Sequence, residues 1–283
     1  MEVSIEIAQN AGACYGVNRA LRMAREAADN PGPVHTLGPL IHNPRVVDEL
    51  AIQGVAVADT LDAAGEGTLV LRSHGTAPQI VDEATRRGFS VVDATCPYVS
   101  KVQRKARQLA ESGYAVVIIG EPGHAEVEGI RAWGGEAVVA VADVPEKLPG
   151  DLPPKVGVVI QTTQSADRVE AVLDALQGRV DELRVEETVC FATQERQAAA
   201  AELSARVELM IVIGGRNSGN TRRLYEICKA RCEATHHIED SAEIEPTWLD
   251  GIERIGITAG ASTPADHIDA VCDRIHVLTD GAA

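Results

Sequence analysis

Three cysteines stand in the same kind of place in this 283-residue chain. Cys96 lies in Val91-Val92-Asp93-Ala94-Thr95-Cys96-Pro97, where a buried strand ends and Pro97 suits the first position of a helix over Val99 to Ser112. Helix N–H groups at such a junction favour a thiolate. Cys14 follows the apolar alternation Val3 to Ile7 and opens a helix over Gly16 to Ala28. Cys190 follows Leu183-Arg184-Val185 and opens a helix over Thr193 to Ala205. One such cysteine reads as a small buried hydrophobe. Three of them, 82 and 94 residues apart with 93 residues after the last, suggest three lobes bringing three thiolates to one centre. Three thiolates suit an iron–sulfur cluster with one iron left open, or a zinc site completed by a histidine. Cys228 and Cys232, spaced i,i+4 on an expected helix, read as packing, and Cys272 has no such setting either.

Polar residues follow the other expected strands. His42, His74, His124, Glu126, Thr162, Thr163, Ser218, Asn220 and Ser262 fall just past strand ends or at helix starts. Ligands of open α/β sheets bind outside the carboxyl ends of the strands. The three histidines sit in Gly/Pro-punctuated loops beside helix N-termini, which can hold a phosphate or merely cap a helix. Glu126 reads either as a first-turn acid favoured by the helix dipole or as a proton source whose pKa burial would raise. Asn217 to Thr221 and Ala259 to Ser262 are weak phosphate-loop patterns without the lysine of a Walker A motif. No GxGxxG follows a strand, so nothing supports a bound dinucleotide, and redox chemistry here would draw on a protein electron donor. His35, His236, His237, His267 and His276 lack converging polar loops and read as structural or surface residues.

The elements that must position these residues alternate between strand and helix, the pattern of α/β architecture with parallel sheets. Strands are expected at Val34–Leu37, Thr68–Arg72, Tyr114–Ile119, Ala137–Val141, Lys155–Ile160, Leu209–Ile213 and around Ile255–Ile257. Helices are expected from Asn43 and Pro44 to about Gln53, and over Gln79–Arg87 and Ala166–Leu176, with shorter ones elsewhere. The cysteine spacing divides the chain into lobes at 14–96, 97–189 and 190–283, with the strand in 1–13 joined to the third. At 45% hydrophobic but only 3% aromatic, the core must be aliphatic. A net charge of −16 argues against nucleic-acid or anionic-membrane partners. No signal peptide pattern opens the chain and no apolar run could span a bilayer, so a cytoplasmic, reducing location is expected, where cysteines stay thiols or metal ligands.

Taken together and in order, these motifs resemble the 4-hydroxy-3-methylbut-2-enyl diphosphate reductases of the methylerythritol phosphate route to isoprenoids. The resemblance runs through Gly12-Ala13-Cys14-Tyr15-Gly16-Val17, Ile41-His42-Asn43-Pro44, Arg72-Ser73-His74-Gly75-Thr76 and Asp93-Ala94-Thr95-Cys96-Pro97. It continues through Gly123-His124-Ala125-Glu126-Val127-Glu128-Gly129, Gln161-Thr162-Thr163, Cys190-Phe191-Ala192-Thr193, Asn217-Ser218-Gly219-Asn220 and Thr258-Ala259-Gly260-Ala261-Ser262. It implies three small α/β lobes in pseudo-threefold arrangement around a central [4Fe–4S] cluster, held by Cys14, Cys96 and Cys190 with one iron open. It implies that an allylic diphosphate is held by His42, His74, Ser218, Asn220 and Ser262, with His124 lining the pocket. Glu126 would deliver protons, with Thr162 or Thr163 in its relay, and a ferredoxin or flavodoxin would supply electrons. The diphosphate set contains no Lys or Arg, so binding should weaken as pH rises through the histidine range. The family commonly has two adjacent serines where this chain has Ser218-Gly219, so a Gly219 N–H would stand in for a hydroxyl. Two other readings compete: a non-catalytic iron–sulfur sensor, which would need an output surface that no basic run supplies, and a zinc hydrolase with Cys/His ligands.

Overall fold

The computed structural model describes residues 3–280. Within them twelve strands and ten α-helices run in the order β1 (Ser4–Ile7), α1 (Tyr15–Ala28), β2 (Val34–Leu37), α2 (Pro44–Ile52), β3 (Val55–Ala58), α3 (Leu61–Ala64), β4 (Thr68–Leu71), α4 (Pro78–Arg86), β5 (Ser90–Asp93), α5 (Pro97–Glu111), β6 (Ala115–Ile119), α6 (Ala125–Gly134) and β7 (Val138–Ala142). The order continues β8 (Lys155–Ile160), α7 (Ala166–Leu176), β9 (Glu182–Glu186), α8 (Phe191–Ser204), β10 (Leu209–Ile213), α9 (Gly219–Lys229), β11 (Thr235–Ile238), β12 (Arg254–Ala259) and α10 (Ala265–Asp280).

The strands form three four-stranded sheets, ordered β1-β12-β10-β11, β5-β4-β2-β3 and β9-β8-β6-β7. Every pairing is parallel. Central strands such as β10 (Leu-Met-Ile-Val-Ile) are buried throughout, as befits parallel sheets covered on both faces. Prolines open α2, α4 and α5, where the missing N–H costs nothing. Two strands escape a reading of the sequence. β3 and β11 are four-residue edge strands, and His236 and His237 in β11 mask the apolar pattern. β7 starts one residue later than expected because Gly135–Ala137 form a 3-10 turn.

The chain forms two compact units. Of the described residues, the first comprises those up to Tyr15, His42–Pro44 and those from Phe191 on; it holds the β1-β12-β10-β11 sheet. The second comprises Gly16–Ile41 and Arg45–Cys190 and holds the other two sheets. In the second unit Val102, Ala106 and Leu109 of α5 pack with Val127 and Ile130 of α6 on Val116, Ile118 and Val159. Gly157 lets α5 come close, since a Cβ there would lie 2.7 Å from a Leu109 methyl. Among the described residues no helix is long and apolar enough to cross a membrane. Emptying the Leu109 position tests this packing: Leu109→Ala should lower unfolding stability in urea by about 2–5 kcal/mol. Ile52→Ala, at a side chain that is 87% exposed, should change it by less than about 0.5 kcal/mol.

Candidate functional site

The three sheets repeat one device. In each, an edge strand (β1, β5 or β9) is followed by a cysteine that sits immediately before a helix. That strand pairs with a central strand, β12, β4 or β8 respectively. Each cysteine backbone N–H donates to a carbonyl two residues past that central strand. Cys14 bonds Ala261 at 3.1 Å, Cys96 bonds Ser73 at 3.0 Å and Cys190 bonds Thr162 at 3.0 Å. The accepting loops carry Ser262, His74 and Thr162 itself. The next strand inward, β10, β2 or β6, is followed by the loop bearing Ser218 and Asn220, His42, or His124 and Glu126. The sequence signalled the cysteines and the loops; the hydrogen bonds that join them came only with the strand order.

In the second unit Glu126 is 2% exposed and held by one residue. Thr162 donates its backbone N–H to Glu126 Oε1 at 2.7 Å and its hydroxyl to Oε2 at 2.9 Å. Burial pushes the Glu126 carboxyl up to about 7, against the lowering effect of the two Thr162 bonds. A carboxyl in that state can hold a proton near neutrality and release it. His124 occupies the N-cap of α6, and its Nδ1 accepts the Glu126 N–H at 3.1 Å. An accepting Nδ1 leaves Nε2 as the protonated nitrogen in this arrangement. Its capping reading therefore holds geometrically, and the cap fixes the helix turn that carries Glu126. The His74 and His124 rings stand edge-on with centroids 5.8 Å apart. Gly75, at φ +77°, follows His74 where any Cβ would meet the Gln103 amide at 2.1 Å, so the turn requires glycine. Thr163 is half-buried, and both Thr bonds to Glu126 come from Thr162.

In the first unit the Ser262 hydroxyl donates to the His42 carbonyl at 3.1 Å, and Asn43 Nδ2 donates to the Ser262 carbonyl at 2.8 Å. Asn43, expected as a helix cap, also reaches this distant loop through its side-chain nitrogen. Gly215 completes the contact, because a Cβ there would lie 2.6 Å from the His42 carbonyl oxygen. Ser218 is the N-cap of α9, accepting the Thr221 N–H at 3.3 Å, with Gly219 at the first helical position. Asn220 is 3% exposed, yet neither its amide oxygen nor its nitrogen has a hydrogen-bond partner among the described residues. Leaving such a group unsatisfied costs about 1–3 kcal/mol, so a ligand that bonds Asn220 recovers that penalty. Arg196, 3% exposed on α8, donates to the Gly12 carbonyl at 2.9 Å and holds the loop leading to Cys14. Arg19 on α1 does the same in the second unit, donating to the Thr95 carbonyl at 3.1 Å just before Cys96. No sequence motif singled out Arg196 or Arg19, since a helical arginine ordinarily reads as surface.

None of the six cysteines forms a disulfide. Cys14, Cys96 and Cys190 are half-buried, whereas Cys228 is fully buried and its thiol is pushed up to about 12, chiefly by burial. Cys232 does not share a helix with Cys228: α9 ends at Lys229, and Cys232 lies in the turn beyond, its N–H bonded to the Cys228 carbonyl at 2.8 Å. Both pack in the apolar core with Ala200, Leu203 and Leu224. Among the described residues no group of three or more His, Cys, Asp or Glu side chains is arranged to hold a single metal ion. A cubane cluster asks for something different, one soft thiolate to each iron that the protein holds; Cys272, like Cys14, Cys96 and Cys190, is only partly buried.

Fold and site define an α/β protein of three parallel sheets, each presenting one cysteine and two polar loops at its carboxyl edge. The family model described as LytB protein matches residues 5–276, and the chain belongs to that family. It is 46% identical over 271 residues to the 4-hydroxy-3-methylbut-2-enyl diphosphate reductase of Pelobacter propionicus, covering 95% of this chain and 96% of that one. The enzyme of the same name from Trichlorobacter lovleyi is also 46% identical, over 275 residues, with 96% and 98% covered. A solved (E)-4-hydroxy-3-methyl-but-2-enyl diphosphate reductase, titled the terminal enzyme of the non-mevalonate pathway, aligns at TM-score 0.69 with 40% identity, covering 97% of this chain and 99% of that one. The Plasmodium falciparum reductase structure aligns at TM-score 0.91 with 25% identity, covering 98% and 89%.

The Glu126 burial has a measurable signature in stability. Its folded pKa of about 7 exceeds the usual 4.5, so the folded state keeps a proton that the unfolded chain loses. Stability is therefore drained as pH rises from about 4.5 to 7 and stays reduced above that. Glu126→Gln should gain on the order of 3 kcal/mol over wild type at pH 8, with the difference vanishing near pH 4. A pH-independent difference in urea unfolding would contradict the assignment.

Proposed function

We propose that the chain catalyses reductive removal of the 4-hydroxyl of (E)-4-hydroxy-3-methylbut-2-enyl diphosphate, giving isopentenyl and dimethylallyl diphosphate. Two electrons and two protons enter, one C–O bond breaks, and water leaves. The observation that supports this reading best is the Glu126 carboxyl, raised toward neutral pH by burial and held by a threonine whose carbonyl also accepts the Cys190 N–H. A [4Fe–4S] cluster on Cys14, Cys96 and Cys190, with one iron open, would supply single electrons and Lewis acidity toward the substrate hydroxyl.

The chain's own residues do the rest. His42, His74, Ser218, Asn220 and Ser262, with the Gly219 N–H, hold the diphosphate, and His124 and Thr163 line the same pocket. The unsatisfied Asn220 amide supports this role, since it both donates and accepts and no protein group uses it. Thr162 aims the Glu126 carboxyl and tempers its proton affinity through the hydroxyl bond. Glu126 holds a proton at its carboxyl until the departing hydroxyl and the allylic carbons need one. Electrons come from a ferredoxin or flavodoxin, the donor class that the family resemblance implies. The reaction belongs to the cytoplasm, where the three thiols stay reduced.

Kinetics under anaerobic conditions with dithionite and methyl viologen test the proton role. Glu126→Gln should lower kcat by about 10²–10⁴-fold with the cluster's visible absorption retained. The wild-type rate should fall as pH rises through about 7, where the carboxyl loses its proton. Thr162→Val removes a bond that lowers the Glu126 pKa, so its descending limb should move to higher pH. A Glu126→Gln enzyme with more than half of wild-type kcat would refute the assignment.

A further inference from the structure

The proposed reaction needs two electrons delivered one at a time, and the surface beside Cys96 carries a feature suited to delivering them. The chain has only eight Phe, Tyr and Trp residues. Three of them stand within two residues of a candidate cluster ligand and face solvent: Tyr15 is 69% exposed, Tyr98 44% and Phe191 64%. Exposed rings placed so consistently do not serve the core, which is aliphatic.

At Cys96 the surroundings can be followed along one helix. Tyr98, Lys101 and Arg104 follow one another at three-residue intervals on α5, so each neighbours the next on its surface. Lys101 and Arg104 lie about 8 and 12 Å along the helix axis from Cys96. Both are exposed, and neither has an ion-pair partner among the described residues. Their neighbours on the same helix are engaged, Lys105 with Glu186 and Arg107 with Glu111. Two unpaired cations are conspicuous in a chain with 42 acidic and 26 basic residues. At physiological ionic strength the Debye length is about 8 Å, so these local charges outweigh the distant net charge for a body docked on α5.

From these observations we infer that the Tyr98–Lys101–Arg104 face of α5 docks the electron donor of the proposed function, a small acidic one-electron carrier protein. An exposed aromatic ring with cationic neighbours matches the composition of transient interfaces, where charges set the rate of encounter and the ring supplies contact area. Each docking passes one electron from the reduced carrier to the cluster, and the oxidised carrier leaves, so two dockings serve one turnover. This inference rests on the function proposed above.

The test compares K101E/R104E with wild type in the anaerobic holoenzyme. Electrons are supplied in separate arms by reduced flavodoxin, by reduced ferredoxin, and by dithionite with methyl viologen. The double variant should raise KM for the acidic carrier about tenfold, with the viologen rate and the KM for the diphosphate substrate unchanged. Added salt should slow the wild-type carrier reaction in the same way. Equal carrier KM in the two proteins, or a wild type that takes electrons from neither carrier, overturns the inference. An equal loss in the viologen arm also overturns it, because the two cations would then be steering the diphosphate. The wild-type visible spectrum separates the two levels: a colourless protein undermines the proposed function, and a brown, active one with unchanged carrier KM undermines only the docking face.

Discussion

Each sheet places its cysteine through the same backbone hydrogen bond, made three times. A parallel sheet ends in a row of strand termini whose last polar groups have no ladder partner. Buried backbone groups must be paired. Here the N–H of each cysteine takes a carbonyl two residues past the neighbouring central strand. That bond satisfies two otherwise stranded groups. It also ties each cysteine to the loop bearing Ser262, His74 or Thr162. Positioning the thiol and positioning the polar loop become one event, fixed by the same strand pairing that folds the sheet.

A second constraint follows from what the loops bury. Glu126 and Asn220 are polar groups almost wholly withdrawn from water; no charge interaction offsets the burial of Glu126, and the Asn220 amide has no hydrogen-bond partner among the described residues. Burying a polar group is costly unless it is bonded, so both residues store unfavourable free energy in the resting protein. Glu126 discharges part of it by remaining protonated near neutrality. Asn220 can discharge it only onto a ligand. In the reaction proposed above, the first would have a proton to give and the second an anion to hold.

Much of this was legible in the amino-acid sequence, for identifiable reasons. Pro97 marked the helix start at Cys96, and the apolar runs of β6, β8 and β10 read as fully buried strands. The three cysteines stood out because their settings match. The rest depended on non-local pairing. β11 carries two histidines, and β3 is four residues at a sheet edge, so neither shows a pattern strong enough to read. The roles of Asn43, Arg196 and Arg19 are bonds to loops far away in sequence. The spacing of Cys228 and Cys232 suggested one helix, but α9 stops three residues before Cys232.

In the function proposed above, Cys14, Cys96 and Cys190, and only those three, would serve one iron–sulfur centre. The direct measurement is iron and acid-labile sulfide per chain after anaerobic purification of six single Cys→Ser proteins beside wild type. The account predicts about four of each in wild type, with marked loss in C14S, C96S and C190S and wild-type content in C228S, C232S and C272S. Iron retained in C96S, or lost equally in C228S, would contradict it.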